Sequence, residues 1–417
     1  MNYIYDNESN KNKLLERFVR YVQIWTESDE EAADKGLFPS TERQFDLAKV
    51  LEGELKELGL QNVQVTKNCY VYGFLPGNLK LNNNSPRNDA ADNQNQSILL
   101  LAHMDTTQEV SGKNVKPQIK PVKAQNTQDN SQASSEDDII ITSDGTTLLG
   151  GDDKAGVAAI MSALAFLVEN PQIKHRPVEV IFSPDEETGH GMDKVPLNLI
   201  KSKAAYTVDG GNLGEMETEC FNAWAASITF TGKATHTGYA KEGGMVNAAV
   251  MASAFVAGLP RHRAPETTSN YEGFIAPMRI SGTIESAQVD LLLRAFTTEE
   301  IEEEKMIIEK LAQAVEASFG GKANAIFKQQ YLNMHDKMEQ NPQVVEQLEK
   351  AYEAAGVQII KKPIRGGTDG SRLTEMGIPT PNIFTGAHEI HSRNEWVSLN
   401  QMSKAADVLI NLLSQIE

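Results

Sequence analysis

The chain has 417 residues, of which 40% are hydrophobic and 23% charged, and its formal net charge is −18. This composition is typical of a soluble globular protein, and the length allows two domains or one large domain with an insertion. The negative charge argues against nucleic acid or an anionic membrane as a partner, because both bind basic surfaces. Cys69 and Cys220 are the only cysteines, so any metal must be held by histidine and carboxylate side chains.

The N-terminal segment, MNYIYDNESNKNKLLERF, is polar and lacks the apolar stretch of a signal peptide. The sequence also lacks the run of about eighteen apolar residues that a membrane-spanning helix needs. We therefore expect a cytoplasmic protein.

Apolar residues recur at helical spacing from Leu14 to about Leu58, which predicts two helices, and Pro39-Ser40-Thr41 indicates the start of the second. The runs VQVT and YVYGFL predict strands after them.

Two polar, biased tracts interrupt this pattern, LNNNSPRNDAADNQNQ from Leu81 and AQNTQDNSQASSEDD from Ala124. Neither contains enough apolar side chains to form a core. We interpret both as mobile surface loops without a chemical role.

Short, continuously apolar runs predict the central sheet: SILLLAHMD, VEVIFSPDEETG, AAYTVDGG and TPNIFTGAHEIH. Continuous apolarity is typical of strands buried on both faces, as in a parallel sheet covered by helices. Each run ends in polar residues, at the carboxyl edge where open α/β sheets carry their sites. The predicted fold class is thus α/β, with a mixed, mostly parallel sheet flanked by helices.

Residues 222–334 follow a different pattern, in which strands and helices alternate in the order β-α-β-β-α-β. This order is typical of a ferredoxin-like α+β unit. We therefore predict an inserted domain at 222–334 within a discontinuous domain formed by 1–221 and 335–417.

Acidic and histidine side chains stand at the ends of the predicted strands and at one glycine-rich helix entrance. They are His103, Asp105, Asp152, Glu186, Glu187, Asp209 and His391. Each has an ordinary alternative explanation, such as a local hydrogen bond, a solvated acidic face, a turn or a packed histidine. Gathered in one cleft, the carboxylates would repel one another strongly unless divalent cations lay between them. The pattern therefore predicts a site for two metal ions.

The roles within this site follow from the chemistry of each group. A carboxylate can bridge two metals, and Asp152 is the candidate for this position. The predicted ligands are His103, Asp152, Glu187, Asp209 and His391. Imidazole and carboxylate ligands without thiolate suit zinc, with manganese or cobalt as possible substitutes. Glu186, beside a ligand, is left to act as general base for a metal-bound water. Asp105 points to the same side as His103 and either binds metal or orients that histidine.

Several motifs resemble a known enzyme family: LLGGDDKAGVA, SPDEETGHG, AYTVDGG, YEGF, PIRGGTDGSRL and PTPNIFTGAHEIHSRNEWVSL. They are similar to the tripeptide aminopeptidases of the dizinc family that also contains aminoacylases and glutamate carboxypeptidases. The resemblance extends from about Leu14 to near Ile416. It implies two zinc ions, the ligand set above with Asp152 bridging, Glu186 as the base and Asp105 as the residue that orients His103.

The same resemblance implies that the inserted domain is a lid that also forms a homodimer. His236, in GKATHTGYAKEGGMVNAA, would stabilise the oxyanion of the scissile carbonyl. Residues expected to contact the peptide backbone and carboxylate are Asn247, Arg294, Arg365 and Thr368. Two departures from the family pattern, Thr237 in place of proline and SRNE in place of GKHE, affect the pocket more than the ligands.

The function expected from these observations is hydrolysis of the N-terminal peptide bond of tripeptides by a zinc-bound hydroxide. The main alternative is another amide hydrolase of the same family, namely a dipeptidase, a carboxypeptidase or an N-acyl amino acid deacylase. A non-catalytic binding protein on the same fold is the alternative from a different class. It would require the loss of a ligand or of the base, and every expected position is filled.

Overall fold

The computed structural model describes residues 1–78, 97–123 and 136–414. Most of the two polar tracts predicted as surface loops lies outside the described residues. Helices occur at α1 (Glu8–Val22), α2 (Glu30–Asp34), α3 (Gln44–Glu57), α4 (Gly151–Glu169), α5 (Ala240–Gly243), α6 (Ala248–Gly258), α7 (Thr298–Phe319), α8 (His335–Glu339), α9 (Pro342–Ala354), α10 (Asp369–Glu375) and α11 (Leu399–Ser414).

Strands occur at β1 (Gln61–Val65), β2 (Val71–Leu75), β3 (Ile98–His103), β4 (Gln118–Val122), β5 (Asp138–Thr142), β6 (Val178–Ser183), β7 (Ala205–Gly210), β8 (Glu215–Glu217), β9 (Asn222–Thr231), β10 (Phe274–Gly282), β11 (Ser286–Ala295), β12 (Lys322–Tyr331), β13 (Ile360–Lys361), β14 (Asn382–Phe384), β15 (Ala387–His388) and β16 (Trp396–Ser398). The chain divides into two compact units. The first comprises 1–218, 337–362 and 368–417, and the second comprises 219–336 and 363–367.

The first unit is built on a mixed sheet whose strand order, among the described residues, is β1-β2-β6-β3-β7-β14-β8-β13. The four strands β6, β3, β7 and β14 run parallel to one another. Strands β3 and β6 are buried along their whole length, because helices cover both faces. The carboxyl ends of the four parallel strands consequently meet at one edge of the sheet.

Helix α4 packs against this sheet and is almost completely buried, since its sequence KAGVAAIMSALAFL is apolar on all sides. Helices α1 and α11 pack beside it. A second, smaller sheet of order β15-β16-β5-β4 completes the unit. The predicted fold class, a mixed and mostly parallel sheet flanked by helices, is confirmed.

The second unit has an antiparallel sheet of order β10-β11-β9-β12. Its elements follow the chain as β9, α6, β10, β11, α7 and β12, which is the predicted ferredoxin-like order. Apolar residues on one face of the sheet form a core with α6 and α7. Alternating exposure along β12 shows that its other face is exposed, and this face carries Ile326 as well as polar side chains. Whether this unit acts as a lid or a dimerisation domain stays a prediction.

Residues 363–367 belong to the second unit, whereas we expected them in the main domain. The reason is local hydrogen bonding. The Phe221 amide donates to the Ile364 carbonyl, and the Arg365 guanidinium donates to the carbonyls of Asn270 and Glu272, both at 2.7 Å.

The predicted helix start at Pro39-Ser40-Thr41 is wrong, because α3 begins at Gln44. The Ser40 amide and hydroxyl both donate to the Asp185 carboxylate, at 2.7 and 2.5 Å. Ser40 therefore supports the turn before Glu186 and does not cap α3.

No helix within the three described ranges has both the length and the apolar character that crossing a bilayer requires.

Candidate metal centre

Three neighbouring strands deliver predicted ligands to the same edge of the sheet. His103 is the last residue of β3, and Asp209 is the penultimate residue of β7. Strand β6 ends at Ser183 and leads into a short 3-10 helix, Glu186–Thr188, that begins with the glutamate doublet. His391 follows β15, in the loop that connects it to β16.

The two aspartates before α4 have different environments. The Asp153 carboxylate accepts hydrogen bonds from the backbone amides of Gly156 (3.1 Å) and His103 (3.2 Å), so both of its oxygens serve the main chain. The Asp152 carboxylate instead lies between two imidazoles. Its Oδ1 is 3.0 Å from His103 Nε2, and its Oδ2 is 3.3 Å from His391 Nε2.

Each of these histidines has a second carboxylate beside it. His103 Nε2 lies 3.6 Å from Asp209 Oδ1, and His391 Nε2 lies 2.9 Å from Glu187 Oε2. The structure thus brings the five predicted ligands together as two groups that share Asp152. In two sets of three residues, one candidate ligand atom from each residue lies within 4.8 Å of the other two. The first set is His103, Asp152 and Glu187, and the second is His103, Asp153 and Asp209. The second set contains Asp153, but its backbone hydrogen bonds favour Asp152 as the metal-facing member of the doublet.

Asp105 is completely buried and organises both the histidine and the glutamates. Its two oxygens accept hydrogen bonds from the backbone amides of Glu186 (3.0 Å) and Glu187 (3.2 Å). Its Oδ1 also lies 3.4 Å from His103 Nδ1, beyond good hydrogen-bond length but close enough to attract a proton on that nitrogen. Asp105 therefore fixes the glutamate doublet as well as facing the histidine.

The cluster is electrostatically unfavourable without cations. Burial and the neighbouring Asp152 raise the pKa of Glu187 to about 7, and burial raises the pKa of Asp209 to about 6. Hydrogen bonds to Asp152 and Glu187 raise the pKa of His391 to about 11. Within the described ranges, neither lysine nor arginine forms an ion pair with these carboxylates. A donor set of crowded carboxylates and imidazoles fits divalent metal ions of the zinc, manganese or cobalt type.

The carboxylate of Glu186 accepts no hydrogen bond from the described residues. The nearest imidazole nitrogen, His103 Nε2, is 4.0 Å from its Oε2. Burial, followed by the charges of Asp209, Asp369 and Glu187, raises the pKa of Glu186 well above its ordinary value despite the opposing effect of His103. A buried carboxyl group with free oxygens and a raised pKa is suited to accept and return a proton.

The sequence analysis missed Glu395, which is 1% exposed and shapes the turn before Asp152. Its Oε2 accepts hydrogen bonds from the amides of Leu149 and Gly150, both at 2.8 Å, and its Oε1 accepts one from the Asp152 amide at 3.0 Å. The sequence feature that could have indicated it is the acidic residue of SRNEW, which directly precedes the buried Trp396. Its partner could not be inferred from the sequence.

The remaining predicted site residues make local contacts within one unit each. His236 is exposed in the second unit, where its Nδ1 accepts a hydrogen bond from the Gly238 amide at 3.1 Å. Asn247 caps the start of α6, and the Arg294 guanidinium donates to the carbonyls of Trp224 and Leu293. Arg365 makes the carbonyl contacts described above, and Thr368, in the first unit, caps α10. Their roles toward a substrate stay predictions.

Comparison with known proteins identifies the family of this chain. A family model described as Peptidase family M20/M25/M40 matches residues 99–415. A Peptidase T from Clostridium perfringens is 40% identical over 414 residues, covering 96% of this chain and 98% of the relative. The crystal structure of a tripeptidase from Staphylococcus aureus has a TM-score of 0.76 at 21% identity, covering 97% of this chain and 98% of that one.

A Bacillus subtilis protein, YXEP, described as a dinuclear metal binding peptidase from the M20 family, has a TM-score of 0.64 at 15% identity and covers 98% of each chain. At such identities the two solved structures support the fold alone. The family model, which matches residues 99–415, and the curated relative, at 40% identity over 96% of this chain, show the family. The resemblance predicted from the motifs is confirmed, and the chain belongs to the peptidase family M20/M25/M40.

Proposed function

We propose that this chain is a dizinc aminopeptidase that hydrolyses the N-terminal peptide bond of tripeptides. The observation that carries the proposal is the position of Asp152, with one carboxylate oxygen toward His103 and the other toward His391. A carboxylate that bridges two metal ions would present one oxygen to each side in this way. The choice of tripeptides is supported by the 40% identity to a protein named Peptidase T.

The residues proposed to hold the two metal ions are His103, Asp152, Glu187, Asp209 and His391. Zinc is our choice because the ligands are imidazoles and carboxylates, and manganese or cobalt could substitute for it. Bound at these residues, the metals would supply Lewis acidity, which lowers the pKa of water and polarises a carbonyl group.

The protein's own groups would then move the proton. Glu186 takes a proton from the attacking water as the new C–O bond forms, and it passes that proton to the leaving nitrogen as the C–N bond breaks. Asp105 keeps Glu186 in place through the backbone amide that it binds. His236 is proposed to donate a hydrogen bond to the carbonyl oxygen as negative charge develops on it.

Further parts of the proposal rest on the family resemblance. Contacts to the peptide backbone and its carboxylate are assigned to Asn247, Arg294, Arg365 and Thr368.

We also propose a cytoplasmic homodimer formed through the second unit. Strand β10 supports this, since it is an edge strand with Met278 and Ile280 exposed by 64% and 52%, and apolar strand edges favour pairing. Light scattering coupled to size-exclusion chromatography would measure the subunit number.

A substrate comparison tests the tripeptidase assignment. The protein, reconstituted with zinc, would be assayed on Ala-Ala-Ala, Ala-Ala and N-acetyl-alanine. We expect the tripeptide to have the highest kcat/KM. A preference for the dipeptide or for the acylated amino acid would instead assign one of the other amide hydrolase activities of the family.

Glu186→Ala tests the proton transfer. We expect kcat to fall by about 10²–10⁴-fold, the usual contribution of a general base, while the metal content measured by plasma mass spectrometry stays that of the unaltered protein. Full turnover by the variant would exclude Glu186 as the base. Loss of both activity and metal would leave the base assignment unsupported.

A further inference from the structure

A cavity of about 370 Å³ opens beside the candidate metal centre in the first unit. Asp152 and Asp209 form part of its wall, so that the cavity is continuous with the proposed ligands. Another part of the wall is aromatic, because the rings of His388 and Trp396 stack with their centroids 3.9 Å apart and an interplanar angle of 15°. A ligand group in this cavity would therefore lie directly against the reacting centre.

The charges that line the cavity are unequal in number. Apart from Asp152 and Asp209, they are Glu215, Lys362 and Glu389. The Lys362 ammonium lies 2.7 Å from Glu215 Oε1, and Glu215 also accepts hydrogen bonds from the amide and the side chain of Asn212. This pair is satisfied within the protein.

Glu389 is the charged group of the cavity that remains without a partner among the described residues. Its side chain is exposed, and it stands in the loop between β15 and β16, two residues before His391. The backbone there is left-handed at both Glu389 (φ 50°) and His391 (φ 59°). The loop that carries a proposed ligand thus also presents a free carboxylate to the adjoining cavity.

We propose that this cavity holds the N-terminal residue of the peptide, with the Glu389 carboxylate binding the α-ammonium group. The inference rests on the proposed function. In an aminopeptidase the ammonium group and the scissile carbonyl are attached to the same Cα, so the pocket for the amino end must adjoin the reacting centre. With Glu215 paired to Lys362 and with Asp152 and Asp209 assigned to the metal ions, the Glu389 carboxylate is the remaining charge of the cavity. It attracts the ammonium end of a peptide and repels its carboxylate end. The side chain of the residue would pack on the His388–Trp396 stack.

Glu389→Gln tests the assignment, with Glu353→Gln as the matched control. Glu353 is an exposed glutamate on α9 and does not line the cavity. Steady-state kinetics on Ala-Ala-Ala would be combined with the inhibition constant of propionyl-Ala-Ala, which has a hydrogen in place of the ammonium group. We expect Glu389→Gln to raise KM for the tripeptide about ten- to hundredfold, as for a lost charged hydrogen bond, and to leave the inhibition constant unchanged.

Two results would overturn the proposal. One is a KM for Ala-Ala-Ala that stays within about twofold of the Glu353→Gln value. The other is an equal rise in KM and in the inhibition constant, which would mean that Glu389 acts on the pocket as a whole and not on the ammonium group. A third variant, Lys362→Gln, decides between the two ends of the peptide. If it raised KM while Glu389→Gln lowered it, the cavity would hold the carboxylate end.

These outcomes are distinguishable from a failure of the proposed function. If the zinc-loaded unaltered protein did not hydrolyse Ala-Ala-Ala, the tripeptidase proposal itself would fail. If it hydrolysed the tripeptide and Glu389→Gln had no effect, only the assignment of the cavity would fail.

Discussion

At the scale of single residues, the two members of each acidic doublet, Asp152-Asp153 and Glu186-Glu187, have different partners. In the first doublet Asp153 binds backbone amides while Asp152 faces two imidazoles. In the second doublet Glu187 faces His391, whereas the Glu186 carboxylate accepts no hydrogen bond within the described ranges and lies 4.0 Å from His103 Nε2. The two carboxylates of a doublet thus have different partners. Nearby cations or backbone amides offset the repulsion between the two negative charges.

This division predicts different outcomes for the two aspartates. Asp152→Asn should lose bound metal, because an amide cannot bridge two cations as a carboxylate does. Asp153→Asn should retain metal but lose stability of roughly 1–3 kcal/mol, since one of its two buried backbone amides would lose its acceptor. Metal content by plasma mass spectrometry and thermal unfolding would be measured for both. Metal loss in Asp153→Asn together with metal retention in Asp152→Asn would reverse our assignment.

At the scale of elements, the turn at residues 148–153 depends on a residue far away in the sequence. Glu395 accepts hydrogen bonds from three amides of this turn, and Oε1 reaches the Asp152 amide across 243 positions of the chain. Gly151 has no room for a side chain, because an added Cβ would lie 2.5 Å from a Val397 methyl group. The turn and the segment after His391 are therefore fitted to each other.

Glu395→Gln should weaken metal binding without unfolding the protein. An amide side chain can accept through only one of its two terminal atoms, so the turn that presents Asp152 would lose part of its support. Loss of a residue that orients a ligand typically costs 10–100-fold in metal affinity, and we expect an effect of about that size. Competition with a chromophoric chelator would measure it, with Glu353→Gln as the control. Unchanged affinity with a lower Tm would limit Glu395 to a purely structural role.

The elements also show what the sequence could predict and what it could not. Continuous apolar runs located β3, β6, β7 and β14, because strands buried on both faces leave a strong local pattern. Their carboxyl ends then located the histidines and carboxylates. Ser40 was misread as a helix signal because its partner, Asp185, is 145 positions away. Pairings of this kind depend on tertiary structure, as does the placement of 363–367 in the second unit.

At the scale of the whole molecule, the two units differ in how they bury charge. In the first unit, the buried carboxylates of Asp105, Glu179 and Asp407 accept hydrogen bonds from backbone amides. The second unit buries Glu304 of α7, which is 0% exposed and has no hydrogen-bond partner for either oxygen among the described residues. Burial raises the pKa of Glu304 to about 9, with Glu300 and Glu303 adding to the effect and Arg263 and Arg294 opposing it. We infer that this carboxyl group is neutral at pH 7.

A buried neutral acid of this kind makes stability depend on pH. The unfolded chain releases this proton near pH 4.3, whereas the folded protein holds it until about pH 9. Between these values the folded state binds one more proton than the unfolded state, so the contribution of Glu304 to the free energy of unfolding falls as pH rises. Below about pH 4.3 both states are protonated and the contribution is constant.

Glu304→Gln should remove this dependence, because glutamine has nearly the same shape and does not titrate. We expect the Tm of the variant to exceed that of the unaltered protein by an amount that grows from pH 5 to pH 9. Comparing the two proteins at each pH cancels the titration of groups they share, including those of the metal centre. Glu309→Gln, an exposed glutamate on the same helix, is the control and should follow the unaltered protein. A constant Tm difference across this range would show that Glu304 is already ionised in the folded state at pH 5. It would contradict our inference that the buried carboxyl group is neutral at pH 7.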